Sequence, residues 1–442
     1  MSDARQPRAT ALTVGRVRRV WHLLERDDAL LKHGIIVAGA SLAATLLNYI
    51  YQFAMGRMLG PEQYGILGAL TSLVYVLSVP AQSIQTSMAR TISLIRGAGR
   101  TCDVGHVARV MAGRIALGAL AGLVAVTAAS GWIARFLQIP SRVLCLLLGP
   151  VLLLGLLGPA LNGSLLGLQR FACLGITQVA GAAGTVMLGV ALVGVGLGVE
   201  GAFSAFAGGL IVNLLLSGWF MREVLAQSPV SADVPRVAAY SMLALITYLG
   251  LALLYNIDVL LVRRFFTAAE AGYYIGAATL ARAVYFGSIA LSGAMFPKAA
   301  LRSGSGDAEG TSRFLRGTLV YVGLLAGFGA LVLNVFPDAI LSLSLGAAYA
   351  GGQQLVGILS VAMLLLALTH VMISYGLAVG RKWIVAPLML GVGVQAVGIV
   401  ALHSSLQQVA AVVTVGLSVT FIGMSAAMIV QSRMCKKHEV LQ

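Results

Sequence analysis

The sequence predicts an all-α polytopic membrane protein with 12 transmembrane helices, arranged as two parallel six-helix lobes around a central cavity. Three observations lead to this fold. Of the 442 residues, 59% are hydrophobic and only 10% are charged, whereas a soluble domain carries about 25% charged residues. Long apolar segments recur from residue 34 to residue 430. A motif that follows the first apolar segment returns in the second half of the chain.

The apolar segments are continuous, as in helices that cross a bilayer, and do not alternate like the strands of a membrane barrel. Each is about 20 residues long, which is enough to cross ~30 Å of hydrocarbon. They occupy residues 34–55, 65–89, 112–134, 143–161, 175–195, 201–221, 238–262, 272–297, 317–337, 353–376, 384–402 and 408–430.

Basic residues are distributed unevenly between alternate loops. The two tails and the loops after even-numbered spans hold 24 of the 30 Lys and Arg residues, and the other loops hold 5. Cytoplasmic segments carry the excess of positive charge in membrane proteins. We therefore expect both termini in the cytoplasm, and we attribute the net charge of +15 to topology and not to nucleic-acid binding.

The polar and basic N-terminal tail lacks the apolar core and cleavage site of a secretory signal, so we expect no cleaved signal peptide. Residues 16–26 (RVRRVWHLLER) are either a short amphipathic helix on the anionic membrane surface or part of a disordered tail.

Cysteine and histidine show no metal-ligand spacing. The four cysteines are scattered singly, and the six histidines do not cluster. His370 lies inside an apolar run, where we interpret it as a hydrogen-bonded packing residue; a proton relay is the less favoured alternative. We expect no cofactor, and coupling to Na⁺ or H⁺ stays open.

An internal repeat relates the two halves. Residues 56–73 (GRMLGPEQYGILGALTSL) align with residues 263–280 (RRFFTAAEAGYYIGAATL) at an offset of 207, which is also the distance between spans 1 and 7. Because each half holds an even number of spans, both halves start on the same side, and a substrate is expected between them. This division gives a cytoplasmic N-terminal tail (1–32), an N-lobe (33–221), a cytoplasmic linker (222–237), a C-lobe (238–430) and a cytoplasmic C-terminal tail (431–442).

Polar residues follow one helix face in spans 1, 2, 7 and 8, mostly at spacings of three, four or seven. The offset of 207 maps much of each stripe onto a stripe of the other half, so we expect the four spans to face one hydrophilic cavity. For single Ser or Thr residues, hydrogen bonding between helices is the favoured alternative. The substrate-binding candidates on these stripes are Asn48, Gln52, Tyr75, Gln82, Gln85, Tyr248, Tyr255, Arg282 and Tyr285.

Arg282 lies about ten residues into span 8, roughly 15 Å deep. A charge at that depth costs roughly 2.5–3.5 kcal/mol on insertion scales and usually marks a functional site. We expect Arg282 to face the cavity and attract an anion, because the guanidinium fork matches phosphate oxygens.

Four other charged residues are candidates for gating or ion coupling. Asp258, near the outer end of span 7, is expected to pair with Arg263 or Arg264, to bind a coupling cation, or to cap a turn. Arg57 and Arg264 occupy matched outer edges, where they line the outward mouth or snorkel to the interface. Arg90, at the inner end of span 2, either gathers phosphate or only contributes to topology.

The motif GRMLGPEQYGILGALTSL, its counterpart IDVLLVRRFFTAAEAGYYIGAATLAR and the twelve spans resemble the polysaccharide and lipid-linked oligosaccharide flippases. These belong to the multidrug/oligosaccharidyl-lipid/polysaccharide exporter superfamily, and the resemblance covers residues 33–430. It implies alternating access and export of an undecaprenyl-diphosphate-linked sugar unit across the bacterial inner membrane, for surface polysaccharide biosynthesis. Membrane lipids and the polymerase or export components of a glycan pathway are the implied partners.

The same resemblance implies roles for the cavity residues. Arg282 would bind the diphosphate or acidic sugars, and Tyr75, Tyr248, Tyr255 and Tyr285 would offer ring faces and hydroxyls to sugars. Twelve spans instead of fourteen disfavour lipid-linked peptidoglycan precursor as the substrate.

Two other classes fit less well. A multidrug and toxin extrusion transporter for cations should carry acidic residues deep in its spans, whereas the deepest charge here is positive. A glycan polymerase or ligase usually needs a large outer loop with basic or catalytic residues, and the longest outer loop, residues 338–352, holds no Lys or Arg. No GxxxxGK[ST] motif is present, so we expect no ATP hydrolysis by this chain. The interpretation as a transporter implies that the protein is not an enzyme.

Overall fold

The computed structural model describes residues 9–99, 103–226, 242–304, 308–378 and 382–439, with side chains for residues 36–99, 103–226, 243–288, 313–377 and 382–430. Residues 227–237 of the predicted linker lie outside the described residues. The backbone of residues 16–26 is helical, but the side chains that would distinguish the two alternatives for this segment are not among those described.

The described residues form helices and short connections, without a strand. The first half contains α1 (Ala9–Leu77), α2 (Val79–Gly97), α3 (Val104–Phe136), α4 (Arg142–Gly167), α5 (Phe171–Gly194) and α6 (Gly198–Leu225). The second half contains α7 (Met242–Phe265), α8 (Ala268–Gly304), α9 (Ala308–Val335), α10 (Pro337–Ser344), α11 (Gln353–Ala378), α12 (Val385–Ala401) and α13 (Leu406–Glu439), with 3₁₀ turns at Ala347–Gly352 and Lys382–Ile384.

The prediction of an all-helical polytopic membrane protein is confirmed. Within the described residues, 10 helical segments are long and apolar enough to cross a membrane. The first of them, Ile36–Leu77, has 42 residues, about twice the length of a single crossing, and covers the predicted first span and the beginning of the second. The predicted eighth span corresponds to α8, which is not among the ten and whose side chains are described as far as residue 288.

A kink at Gly60 separates the first two predicted spans inside α1. Gly60 has φ 70° and ψ 174°, and Pro61 follows it. A side chain on residue 60 would disfavour this left-handed backbone, and Pro61 cannot donate a helical hydrogen bond to the preceding turn. The chain therefore turns at the position where the repeat motif GRMLGPEQYG predicts a connection between spans.

The boundary predicted for the second span is wrong. Residues 65–89 do not form one helix, because α1 ends at Leu77 and α2 begins at Val79. Pro80 lies in the first turn of α2, where its missing N–H is tolerated, although in a continuous helix it would remove a hydrogen bond. The polar stripe predicted for span 2 is consequently divided between two helices.

The corresponding turn of the second half lies between α7 and α8. Thr267 precedes α8, and its hydroxyl donates a 2.7 Å hydrogen bond to Glu270 Oε2, which also accepts the backbone N–H of Thr267 at 3.0 Å. The Glu270 backbone N–H in turn donates to Thr267 Oγ1 at 3.4 Å, which completes a reciprocal capping box and satisfies donors at the start of the helix. Gly60 and Thr267 are 207 residues apart, so the two halves turn at equivalent positions by different local means.

The two halves contact each other through glycines that follow these turns. A Cβ atom on Gly272 would lie 1.9 Å from the carbonyl oxygen of Pro61, and one on Gly65 would lie 3.0 Å from the backbone nitrogen of Gly272. Ile275 similarly fills the space that a side chain on Gly68 would need. Helices in membranes approach this closely only where small residues line the contact.

A neutral polar network holds α4, α5 and α6 together. Ser217 Oγ donates a 2.8 Å hydrogen bond to Asn162 Oδ1, and the amide nitrogen of Asn162 donates to Asn213 Oδ1 at 3.1 Å. Asn213 in turn donates to the carbonyl oxygen of Thr177 at 3.0 Å. The amide nitrogens and hydroxyls of this network thus find partners inside the lobe. We therefore assign the network to helix association.

Candidate functional site

Arg282 is set against the inner face of α7. Its side chain is 12% exposed, and its Nη2 donates a 2.7 Å hydrogen bond to the carbonyl oxygen of Tyr255. The guanidinium carbon lies 4.2 Å from the centre of the Tyr255 ring. Among the described residues, its Nε finds no hydrogen-bond acceptor. The cation is therefore positioned by the protein but left with a free donor.

Asp258 neighbours this arginine and lies one helical turn beyond Tyr255 on α7. The carboxylate is 2% exposed, and its Oδ2 accepts a 2.9 Å hydrogen bond from the hydroxyl of Tyr274. Its Oδ1 lies 4.0 Å from Arg282 Nη2 and has no hydrogen-bond donor among the described residues. Asp258 thus compensates the charge of Arg282. The predicted pairing of Asp258 with Arg263 or Arg264 is wrong.

Aromatic rings extend from Arg282 across the middle of the protein. The Tyr255 ring lies 5.5 Å from Tyr285 and 5.8 Å from Phe286, measured between ring centroids. Phe286 meets the edge of Tyr49 at 6.2 Å, so this layer joins α8 of the second half to α1 of the first. At its other end, the Tyr285 hydroxyl lies 3.0 Å from His370 Nδ1, which matches the expected packing role of His370.

Several predicted cavity residues present open surface. Tyr75 is 47% exposed, and Asn48 and Gln82 are also exposed. Phe286, which was not among the predicted residues, is 37% exposed. Gln52, Gln85 and Tyr248 are half-buried, and Tyr285 is buried. Gln52 accepts a 3.3 Å hydrogen bond from Tyr64, whose hydroxyl also lies 3.1 Å from Thr279 Oγ1 on the other half.

The arginines at the predicted outer edge connect the halves. Arg57 donates through Nε to the carbonyl oxygen of Ser344 at 3.1 Å and through Nη2 to that of Leu343. From the second half, Arg263 Nη2 donates to the carbonyl oxygen of Gln138 at 2.8 Å. The Gln138 side chain donates to the carbonyl oxygen of Arg264 at 3.0 Å. We call these contacts the cross-lobe ties. Arg90, in contrast, is exposed on α2.

Sequence reasoning missed Tyr49, Phe286 and Tyr274. Tyr49 could have been found, because Thr45, Tyr49 and Gln52 have spacings of four and three, the same signal that selected the stripe. Phe286 carries no polar atom and Tyr274 lies outside the stripe, so neither gave a signal. Within the described residues, no group of three or more His, Cys, Asp and Glu side chains could hold a metal ion.

A family described as polysaccharide biosynthesis protein matches residues 54–351, about two thirds of the chain. The chain belongs to this family. The match includes the turn at Gly60, the glycine contact between the halves and Arg282 with its surroundings. A comparison with curated protein sequences found no match.

Solved structures with the same fold come from the multidrug/oligosaccharidyl-lipid/polysaccharide exporter superfamily. An inward-facing multidrug resistance transporter of the MATE family has a TM-score of 0.70 at 14% identity, covering 88% of this chain and 96% of that one. The lipid II flippase MurJ in an inward closed conformation has a TM-score of 0.71 at 12% identity, covering 89% and 87%. This member of the polysaccharide biosynthesis protein family therefore shares its fold with transporters and a flippase.

Proposed function

We propose that this protein is a flippase that moves an undecaprenyl-diphosphate-linked oligosaccharide from the inner to the outer leaflet of the bacterial inner membrane, for surface polysaccharide biosynthesis. Support comes from the family, whose description is polysaccharide biosynthesis, and from a fold shared with transporters and a flippase. Both termini lie in the cytoplasm in this proposal. The partners are the lipid-linked sugar, surrounding lipids and the enzymes that polymerise or export the glycan.

The observation that carries the proposal is the free Nε of Arg282. Arginine offers five N–H donors in a planar fork, and one of them, the Nε–H of Arg282, has no acceptor among the described residues. A buried donor without a partner is costly, so a site that keeps one is prepared for a ligand. Phosphate oxygens match the guanidinium geometry and supply the negative charge.

The surrounding residues are suited to the sugar part of such a substrate. Exposed Tyr75 and Phe286 present ring faces, and exposed Asn48 and Gln82 present amides. Tyr248, Tyr255, Tyr285, Gln52 and Gln85 complete the proposed substrate surface, and Arg90 gathers the phosphate from the cytoplasmic side.

A cationic drug is a poorer fit. The most enclosed acidic group of the site, Asp258, already lies 4.0 Å from Arg282 and accepts a hydrogen bond from Tyr274. A cation that approached Asp258 would also lie close to the Arg282 guanidinium. The two positive charges would repel each other at this spacing. The electrostatics therefore favour an anionic substrate over the cations expected of a multidrug exporter.

Alternating access supplies the transport step. The cross-lobe ties of Arg57, Arg263 and Arg264 join the halves at one end, and their release would open that end. No ATP-binding motif is present, so the motion is driven by an ion gradient, the membrane potential or the substrate gradient. Asp258 is the residue that we assign to ion coupling if a cation takes part.

The test is deletion of the gene in its host, followed by mass spectrometry of the lipid-linked oligosaccharides. We expect one undecaprenyl-linked repeat unit to accumulate and a surface polysaccharide to be lost. Arg282→Ala should reproduce this result with normal membrane abundance. Arg222→Ala is the matched control, because Arg222 lies over the Trp219 ring at 5.0 Å, on α6, and should complement fully.

An unchanged lipid pool and an intact surface glycan, in a strain that also lacks related exporters, would overturn the flippase assignment. Full complementation by Arg282→Ala would instead refute the anion site and leave the flippase assignment standing.

A further inference from the structure

A second free donor lies on the opposite half, in the same aromatic layer as Arg282. The Tyr49 hydroxyl on α1 is enclosed and has no hydrogen-bond partner within the described side chains and backbone. Tyr51, two residues further along, differs: its hydroxyl donates a 2.7 Å hydrogen bond to the carbonyl oxygen of Ala202. One tyrosine of α1 therefore contributes to packing, whereas the other retains an unused hydroxyl.

Unused buried hydroxyls are rare in native structures, since most buried polar atoms have a protein or water partner. The packing of Tyr49 does not require an O–H group, because its neighbours in the aromatic layer are the rings of Phe53 and Phe286. A phenylalanine would make the same ring contacts without leaving a polar atom unpaired. The hydroxyl consequently needs an explanation outside packing.

The aromatic layer connects this hydroxyl to Arg282. Phe286 contacts Tyr49 on one side and Tyr255 on the other, at centroid distances of 6.2 and 5.8 Å, and Arg282 lies 4.2 Å from the Tyr255 ring. Two free donors, Tyr49 O–H and Arg282 Nε, thus border the same aromatic layer, one from each half of the protein.

Two free donors require a ligand that brings acceptors. The nearest carboxylate, Asp258, cannot serve both, because its Oδ2 is held by Tyr274 and its Oδ1 is 4.0 Å from Arg282 on the side of α7. Phosphate oxygens accept several hydrogen bonds at once, and charge-assisted bonds of this kind are strong.

We propose that Tyr49 and Arg282 together bind one phosphate group of the substrate, so that the ligand bridges the two lobes after the Phe286 ring has moved aside. The inference rests on the proposed function, since it adds a second residue to the anion site of Arg282. Phe286 is 37% exposed, so the protein does not fully enclose its ring. A phosphate held from both halves would couple binding to the movement of one lobe against the other.

The experiment measures binding of farnesyl diphosphate and of inorganic pyrophosphate to the purified full-length protein in nanodiscs, by titration calorimetry. Tyr49→Phe keeps the ring and removes only the hydroxyl, and we expect it to weaken both ligands roughly tenfold, the loss typical of one hydrogen bond to a charged group. Thermal stability of the ligand-free protein should stay equal or rise, because an unpaired polar atom has been removed.

Tyr51→Phe is the matched control. It should lower thermal stability, because the Ala202 carbonyl loses its donor, while the affinity for both diphosphates remains that of the wild type. Farnesyl diphosphate and pyrophosphate separate a lipid-linked phosphate from a free one: a tenfold loss with both ligands places the contact at the phosphate itself.

Each remaining result contradicts a specific part of the idea. Wild-type affinity in Tyr49→Phe together with lost binding in Arg282→Ala would overturn the role of Tyr49 and leave the proposed function intact. Equal binding in all variants would overturn both. If neither farnesyl diphosphate nor pyrophosphate binds detectably to the wild type, the proposal is also overturned, since the site would then not accept a diphosphate.

Discussion

Asp258 Oδ1 lies 4.0 Å from Arg282 Nη2, which is within ion-pair range but longer than a hydrogen bond. The two residues belong to adjacent helices of one lobe, and each keeps a buried polar atom without a partner among the described residues. A buried pair in this geometry is only partly satisfied, because Coulomb attraction offsets desolvation fully only with close hydrogen bonding. The pair can therefore give way to a ligand that offers Arg282 better acceptors.

Replacement of Asp258 by asparagine tests this exchange. Asn keeps an acceptor for Tyr274 but removes the charge that competes with a bound anion, so farnesyl diphosphate should bind severalfold more tightly to Asp258→Asn. Thermal stability without ligand should fall, by up to ~3 kcal/mol, because Arg282 loses its counter-charge. Calorimetry and thermal melting in nanodiscs measure the two effects.

The flipping rate of Asp258→Asn separates the remaining alternatives for this residue. Tighter binding with slower turnover identifies Asp258 as the group that promotes release. Turnover that becomes independent of Na⁺ and pH identifies it as the coupling site. Weaker binding would contradict the exchange, since Asp258 would then serve to position Arg282.

Arg282→Lys distinguishes charge from geometry. Lysine retains the positive charge but lacks the planar fork that donates to Tyr255 and to a phosphate simultaneously. We expect partial flipping activity, above that of Arg282→Ala and about tenfold below the wild type, as for one lost charge-assisted hydrogen bond. Wild-type activity in the lysine variant would show that a point charge suffices.

Gly272 should not tolerate a side chain. A Cβ atom there would lie 1.9 Å from the carbonyl oxygen of Pro61, and backbone on both sides cannot move away cheaply. Gly272→Ala should therefore destabilise the protein by several kcal/mol or prevent folding, as overpacking does at its upper limit. Gly287→Ala, on the same helix with nothing within 4 Å, is the control and should be stabilising by up to ~1 kcal/mol.

Thermal melting of the two variants gives a direct comparison. Equal melting temperatures would contradict the close contact between the halves at Gly272. Gly65→Ala should fall between them, because its Cβ would approach Gly272 only to 3.0 Å.

Much of the architecture was predictable because apolar length and repetition are properties of the chain itself. The offset of 207 that aligns Gly65 with Gly272 was visible in the sequence, but the direct contact of these two glycines with the opposite half was not. The break at Ser78 was missed because the apolar run continues through it, although Pro80 was the available signal. Short α10 lies in a segment that we had treated only as a loop.

The sequence predicted several residues of the candidate site, but it did not predict all of the contacts between them. Arg282 and Tyr255 were both selected from their stripes, and they do lie against each other. The partner of Asp258 was predicted incorrectly, since proximity along α7 favoured Arg263 and Arg264, whereas packing of α8 brings Arg282 closer. Hydropathy does not encode which helix lies beside which, so such pairs need coordinates.

The cross-lobe ties predict that Arg57 controls opening at its end of the protein. Arg57→Ala removes two hydrogen bonds to backbone carbonyl oxygens of the other half, at Leu343 and Ser344. Because these bonds are exposed, we expect a loss of about 1 kcal/mol, which shifts the populations of closed and open forms roughly fivefold. Arg135→Ala is the control, since Arg135 is also exposed but donates to Gly131 within its own helix.

Spin labels at residues 62 and 338, both exposed and on opposite halves, report this opening when the native cysteines are replaced by serine. Electron paramagnetic resonance should show a larger fraction of long distances in Arg57→Ala than in the wild type or Arg135→Ala. The flipping rate of Arg57→Ala should change with that fraction, because the ties must break and re-form in every transport cycle. An unaltered distance distribution would assign Arg57 to the snorkelling role and leave closure of this end to the glycine contact between Gly65 and Gly272.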